Sequence, residues 1–129
     1  MKSKIFTSSA PAPIGPYSQA IRAGNWIFVS GQIPLDPVSG KLELHDIEHA
    51  ANLVMQHIKN ILNAAGAGME NIVKTTIFLK NMDDFTRVNE IYAGYFENTV
   101  PPARETVEVA RLPKDVPLEI SVVAWVEEK

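Results

Sequence analysis

PPARETVEVARLPKDVPLEIS, residues Pro101 to Ser121, opens with two prolines that stiffen the backbone immediately ahead of Arg104. An alternating run follows, with Arg104, Thr106 and Glu108 on one side and Glu105, Val107 and Val109 on the other. Period-two alternation with β-branched residues predicts a strand. An arginine at the mouth of a strand, behind a rigid Pro-Pro-Ala lead, has a fixed aim, and its planar fork suits a carboxylate. The run turns through Leu112–Asp115 and re-enters β structure at Leu118, with Glu119 at the start of the last strand.

That last strand, Leu118 to Val126, puts Leu118, Ile120, Val122 and Ala124 on one side and Val123 and Trp125 on the other. Upstream, Ile72 to Lys80 is a strand with apolar residues on both faces, which predicts a central position covered on two sides. Between them lies a helix capped by Asp83 or Asp84, with the stripe Phe85, Val88, Tyr92, Tyr95 and Phe96, broken at Asn98–Pro102. His45 to Ala65 is a longer helix whose stripe is Ile47, Ala51, Val54, Ile58, Ile61 and Ala65. Asp46 is its expected N-cap, Glu48 suits its first turn and Gly66 ends it. Ser18–Ala23 and Trp26–Ser30 read as a hairpin turned at Gly24-Asn25. Met1–Ser9 holds an edge strand around Ile5-Phe6, and the prolines of Ala10–Pro16 make an extended loop.

Strands, helix, strand, helix and two strands in that order predict an α+β fold with two layers. The sheet is mixed, of about six strands, with two helices on one face, in a single domain spanning residues 1–129. Val123 and Trp125, with Trp26 and Phe28, leave the second sheet face apolar with no helix to cover it, which predicts self-association.

The chain has no cysteine, so disulfides, a thiol nucleophile and a Cys-based zinc site are excluded, and a reducing, cytoplasmic setting is expected. No signal-peptide pattern and no membrane-length apolar run is present. A net charge of −3 without a basic cluster disfavours nucleic acid as a partner.

His45-Asp46-Ile47-Glu48-His49 matches H-x-x-E-H, an inverted zinc-peptidase motif. The helix begins after His45, His57 lies two turns beyond His49 and no third ligand is in evidence, so no metal is expected and a solvated helix start is the plainer reading. Glu105, Glu108 and Glu119 could supply acid–base carboxylates, but nothing in their spacing fixes a pair; most read as surface charges with partners such as Arg111 or Lys114. Tyr17 is either a half-buried aromatic with a solvated hydroxyl or a side chain aimed into a site. Gly31 either lets a ligand approach the backbone or marks a bulge. Asn89, among apolar neighbours, must be hydrogen-bonded if buried.

IGPYSQAI (Ile14–Ile21), VSGQIPLDPVSG (Val29–Gly40), VKTTIFLKNMDDFTRVNEIY (Val73–Tyr92) and PARETVEVARLPKDVPLEI (Pro102–Ile120) together resemble the reactive-intermediate deaminases, the RidA/YjgF-type family of small trimeric enamine/imine hydrolases. The resemblance implies a chorismate-mutase-like fold and a homotrimer with a barrel-like core. It implies hydrolysis of reactive 2-enamine and 2-imino acids, such as 2-aminoacrylate and 2-iminopropanoate, to 2-keto acids and ammonia: a 2-iminobutanoate/2-iminopropanoate deaminase working without a cofactor. On that resemblance the catalytic residues are Arg104, which clamps the substrate carboxylate, Glu119, which orients or activates water, and Thr106, which stands where many relatives have cysteine and lines the pocket through its backbone or its hydroxyl. Tyr17, Ser30, Gly31 and Asn89 complete pockets at clefts between subunits. Ser121, where some relatives have glutamate, and the extra Pro101 are departures that bear on substrate range. Two other readings stay open: a module that binds a small carboxylic acid or 2-keto acid without turnover, and a translation-inhibiting endoribonuclease, which the acidic balance disfavours.

Overall fold

The computed structural model describes residues 1–127 of the chain. Strands β1 (Lys2–Ile5), β2 (Ala20–Ala23), β3 (Trp26–Gln32), β4 (Ile72–Leu79), β5 (Ala103–Glu108) and β6 (Leu118–Trp125) form one mixed sheet ordered β1-β2-β3-β6-β4-β5. Every neighbouring pair is antiparallel except β4 and β5. Parallel neighbours need a crossover, and helix α2 (Phe85–Gly94) supplies it. Helix α1 (Ile47–Ala64) connects β3 to β4. The expected α+β architecture, six strands with two helices, is what the chain adopts.

Local chemistry explains most boundaries. The Asp46 carboxylate accepts from the His49 backbone N–H at 3.1 Å, so the helix starts at Ile47 and His45 stays in the loop. At the other end Gly66 has φ of 77°, and Ala67 and Gly66 donate back to Leu62 and Asn63, a Schellman closure that glycine makes cheap. The β2–β3 hairpin puts Gly24 alone at positive φ, with Ala23 paired to Trp26. Helix α2 corrects the expected cap. A 3₁₀ turn over Met82–Asp84 precedes it, and the Asn81 side chain caps that turn by accepting from Asp83 N–H at 2.9 Å. Asp84 makes no capping bond and pairs with Arg87 instead.

The core lies between the helices and one sheet face. Ile47, Ala51, Val54, Ile58 and Ile61 of α1 meet Leu118, Ile120, Val122 and Ala124 of β6, all buried. Burying each large aliphatic side chain contributes roughly 1.5–3 kcal/mol. Strand β4 is central, as its apolar content suggests, but one chain covers only one of its faces: Ile72, Thr75, Ile77 and Leu79 are buried while Val73 is exposed. The open face carries cross-strand pairs Trp26–Trp125 and Phe28–Val123, with both tryptophans and Phe28 exposed. Within that apolar surface Lys74 meets Glu105 at 2.7 Å and Thr76 donates to the same carboxylate at 2.5 Å. Glu105 thus pairs with Lys74, and Arg111 with Asp115 at 2.8 Å, not with the glutamates of β5 as the sequence suggested. Among the described residues no helix is long and apolar enough to cross a membrane.

Candidate active site

The residues singled out from the sequence fall into two groups on opposite faces of the sheet. Alternation along β6 buries Leu118 and Ile120 beneath the helices, so Glu119 between them points to the open face. Arg104 is in register with buried Thr75 and bonds to Asn89 on α2, so it lies on the helix side. One chain therefore keeps Arg104 and Glu119 apart.

The Glu119 group lines a cavity of about 530 Å³ with Tyr17, Ser30, Gly31, Ile33, Leu35 and Lys114. A bulge makes this possible. Between the pairs Val29–Val122 and Gln32–Ile120, β3 has one residue more than β6, so Ser30 and Gly31 together oppose the single residue Ser121, with Glu119 just beyond it. Gly31 has no Cβ, and the Glu119 carboxylate occupies the space a methyl there would fill. The bulge reading of Gly31 holds, and the group that approaches its backbone is the protein's own carboxylate. Burial raises the Glu119 pKa above the ordinary carboxylate value, with no compensating donor among the described residues. A desolvated carboxylate without a donor holds a proton more tightly than a solvated one, which suits it to acid–base work. The Ser30 hydroxyl donates to Ser18 C=O at 2.7 Å, which leaves its oxygen free to accept. Tyr17 is largely exposed, and its hydroxyl accepts from Ile14 N–H at 3.4 Å.

Two wall elements carried no clear signal in the sequence. Gln19 is buried and pins the proline loop, accepting from Thr7 N–H at 2.8 Å and donating to Thr7 C=O at 3.0 Å and Pro11 C=O at 2.9 Å. Lys114 and Asp115 are consecutive residues at φ of 55° and 57°, the left-handed region that costs a non-glycine residue roughly 1–3 kcal/mol. The Arg111–Asp115 pair and the Asp115 N–H to Leu112 C=O bond hold that turn, which sets Lys114 at the cavity edge.

The second group surrounds a cavity of about 400 Å³ lined by Asn89, Tyr92, Ala93, Phe96, Pro101, Pro102 and Arg104. Helical spacing explains it, since Phe85, Asn89, Tyr92 and Phe96 lie on one face of α2 and its extension. The Arg104 guanidinium sits 5.0 Å from the Tyr92 ring centroid and 5.6 Å from that of Phe85, and Nη1 donates to Asn89 Oδ1 at 2.7 Å. Asn89 and the aromatics fix the fork, as cation–π contacts and one hydrogen bond do. Tyr92 is held in turn by its hydroxyl donating to Thr75 Oγ1 at 2.9 Å.

Thr106, one alternation beyond Arg104, has a buried Oγ1 with no hydrogen-bond partner among the described residues. Such a group costs desolvation until something pairs with it. Thr106→Val should raise the stability of the ligand-free protein by on the order of 1 kcal/mol while raising KM. Chemical denaturation and steady-state kinetics read both. A loss of stability would mean the hydroxyl is already paired.

Neither the H-x-x-E-H pair nor His57 is arranged as a metal site. His49 Nδ1 lies 2.8 Å from Glu43, His57 Nε2 lies 2.7 Å from the Leu35 carbonyl, and His45 precedes the helix. Among the described residues no three His, Asp or Glu side chains converge as metal ligands.

Comparison with known proteins places these features in a wider set. The family model described as endoribonuclease L-PSP matches residues 7–126. A RutC family protein of Pyrococcus horikoshii is 52% identical over 98% of this chain and 100% of its own length. The 2-iminobutanoate/2-iminopropanoate deaminase of Escherichia coli K12 is 46% identical over 96% of this chain and 98% of its own. The crystal structure of E. coli TdcF with bound serine superposes with a TM-score of 0.93 at 40% identity, covering 97% of this chain and 99% of that one.

Proposed function

This chain belongs to the endoribonuclease L-PSP family, the RidA/YjgF-type proteins, and we propose that it hydrolyses reactive 2-imino acids and their enamine tautomers to 2-keto acids and ammonia. The observation that carries the proposal is Glu119, a half-buried carboxylate with a raised pKa, seated over Gly31 in a cavity large enough for a small substrate. The name carried by the 46% identical E. coli deaminase supports the same reaction.

The chemistry needs three things. The substrate carboxylate must be held, the C=N carbon must be presented to water, and both protons of that water must reach the leaving nitrogen. Arg104, with only one donor committed to Asn89, retains a pair for a bidentate carboxylate contact. Glu119 takes a proton as water adds to the imine carbon and returns it to nitrogen. The hydroxyl of that adduct then gives up the second water proton, which reaches the nitrogen through the same carboxylate as the C–N bond breaks, so the carbonyl forms and ammonia leaves. Holding the reactants side by side accounts for much of the rate, because an imine is already electrophilic.

Because Arg104 and Glu119 lie on opposite sheet faces, we assign each reaction site to two chains, Arg104, Asn89 and Thr106 from one and Glu119, Tyr17, Ser30 and Gly31 from its neighbour. Burial of the Trp26, Phe28 and Trp125 face in a homotrimer is the assembly proposed to bring them together. The test is release of ammonia and keto acid from 2-iminopropanoate and 2-iminobutanoate generated in situ by an amino-acid oxidase. Acceleration in proportion to added protein is expected. Binding of 2-keto acid without acceleration would mean a binding module instead.

A further inference from the structure

His57 is a buried titratable group that the proposed reaction does not use. It lies on the core side of α1, 2% exposed, in an otherwise apolar stripe. Its Nε2 is 2.7 Å from the Leu35 carbonyl oxygen. A carbonyl oxygen can only accept, so the ring proton sits on Nε2. Nδ1 then carries a lone pair, and nothing among the described residues hydrogen-bonds to it. A neutral ring tolerates that. A charged ring would hold an N–H in a dry site with no acceptor, which costs more.

The other end of this hydrogen bond belongs to the Glu119 cavity, because Leu35 is part of its wall. The segment from Ile33 to Glu43 is a loop closed on itself: Leu35 N–H donates to Ile33 C=O, Asp36 N–H to Lys41 C=O and Glu43 N–H to Pro34 C=O, each at 2.8–2.9 Å, with Leu35 bridged to Leu42. Among the described residues two polar tethers join this loop to α1. The Glu43–His49 pair holds its far end, and His57 holds the end that faces the cavity.

We propose that His57 is a positioning residue for the Glu119 cavity: as a neutral ring protonated on Nε2 it pins the Leu35 wall to α1, and a second proton releases that wall. The inference rests on the reading of that cavity as the seat of the reaction. The charges around the ring are few. The Leu35 carbonyl that accepts from Nε2, and Asp36 beside it in the loop, both favour the protonated ring, so release comes only from the cost of a charge in a dry site; His49, paired with Glu43, acts on Asp36. Burial opposes these and prevails, so the His57 pKa lies below the ordinary histidine value. A base with a depressed folded pKa contributes stability that is present above about pH 6.5 and lost as pH falls from there toward the folded value. Loosening of the wall therefore belongs on the acid side of neutrality.

Amide hydrogen exchange reads the wall without any substrate. Protection factors at Leu35, Asp36 and Glu43 are compared with that of Ile120 in β6, at pH 7.5 and 5.5, in wild type, His57→Gln and His57→Leu. Glutamine keeps an N–H donor but cannot titrate, while leucine fills the space without a donor. On acidification the wild-type loop should lose roughly tenfold more protection than Ile120, the scale of one hydrogen bond. His57→Gln should show no such pH-dependent loss, and His57→Leu should be loose at both pH values. In the hydrolysis assay His57→Leu should raise KM several-fold with kcat within about twofold, and His57→Gln should restore KM. Equal loop protection in wild type and His57→Leu, or a pH-dependent loss retained by His57→Gln, overturns the proposal. If the exchange results hold while wild type hydrolyses no imino acid, the tether stands and the catalytic reading is what fails.

Discussion

Arg104→Ala is expected to lower turnover of 2-iminopropanoate by ~30- to several-thousand-fold while the chain stays folded. Removing one partner of a desolvated charge pair costs roughly 2–5 kcal/mol, and each ~1.4 kcal/mol is a decade in rate. The arginine lines a cavity at the sheet edge and contributes nothing to the buried cluster of α1 and β6, so the fold does not depend on it. Asn89 loses its partner, but the bond is only partly buried and water can replace the donor. Lysine should rescue little. Its ammonium is a point charge on a flexible stem, and it offers neither the fork for a carboxylate nor the flat face that stacks on Tyr92 and Phe85. The check is steady-state hydrolysis with folding verified for each variant. Near-wild-type turnover in folded Arg104→Ala would contradict the carboxylate clamp.

Glu119→Gln should cost about 100- to 10,000-fold in the same assay, the range over which a positioned acid–base group acts. The pH profile separates this from simple loss of a contact. Glu119 works as a base when ionised, so the wild-type rate should rise with pH through an apparent pKa above the ordinary glutamate value, and that limb should vanish in the glutamine variant. Stability should move the other way. A carboxyl with a raised folded pKa binds its proton more tightly folded than unfolded, so its contribution is fully present below the ordinary value and is lost as pH rises through the folded one. Once ionised, Glu119 is then a charge the fold holds at a cost, and Glu119→Gln should unfold at higher temperature than wild type at high pH, with the difference closing at low pH. A variant less stable at every pH would mean that the carboxylate is satisfied by partners and not poised for chemistry.

Much of this was legible in the residues alone because the relevant physics is local. Period-two burial along Leu118–Ala124, the Asp46 cap and the Gly66 stop are fixed by a few neighbouring side chains, and each lies where the pattern puts it. The helix-side placement of Arg104 and the opposite aim of Glu119 were not legible. Alternation says which residues of one strand share a face, but not which faces of two strands coincide; that follows from the parallel β4–β5 pairing and the antiparallel β4–β6 pairing. Asp83 and Asp84 were natural caps by composition, yet the intervening 3₁₀ turn moves that task to Asn81. Gly31 looked like either a bulge or a place of close approach, and only the position of the Glu119 carboxylate across the sheet makes it both. Gln19 and His57 are polar residues in buried segments, and their hydrogen-bond partners, Pro11 and Leu35, lie in loops that no periodicity describes.

The measurement that bears most directly on a site shared between chains is complementation. Arg104→Ala and Glu119→Gln chains are purified separately, unfolded, mixed in equal amounts and refolded, and hydrolysis is compared with each variant refolded alone. In randomly mixed trimers a site is intact only when its arginine comes from a Glu119→Gln chain and its glutamate from an Arg104→Ala chain, so roughly one quarter of sites should regain both groups. The account predicts that the mixture recovers about that fraction of wild-type activity, far above either variant. A mixture no more active than the mean of its two components, with mixed assemblies demonstrably formed, would contradict it.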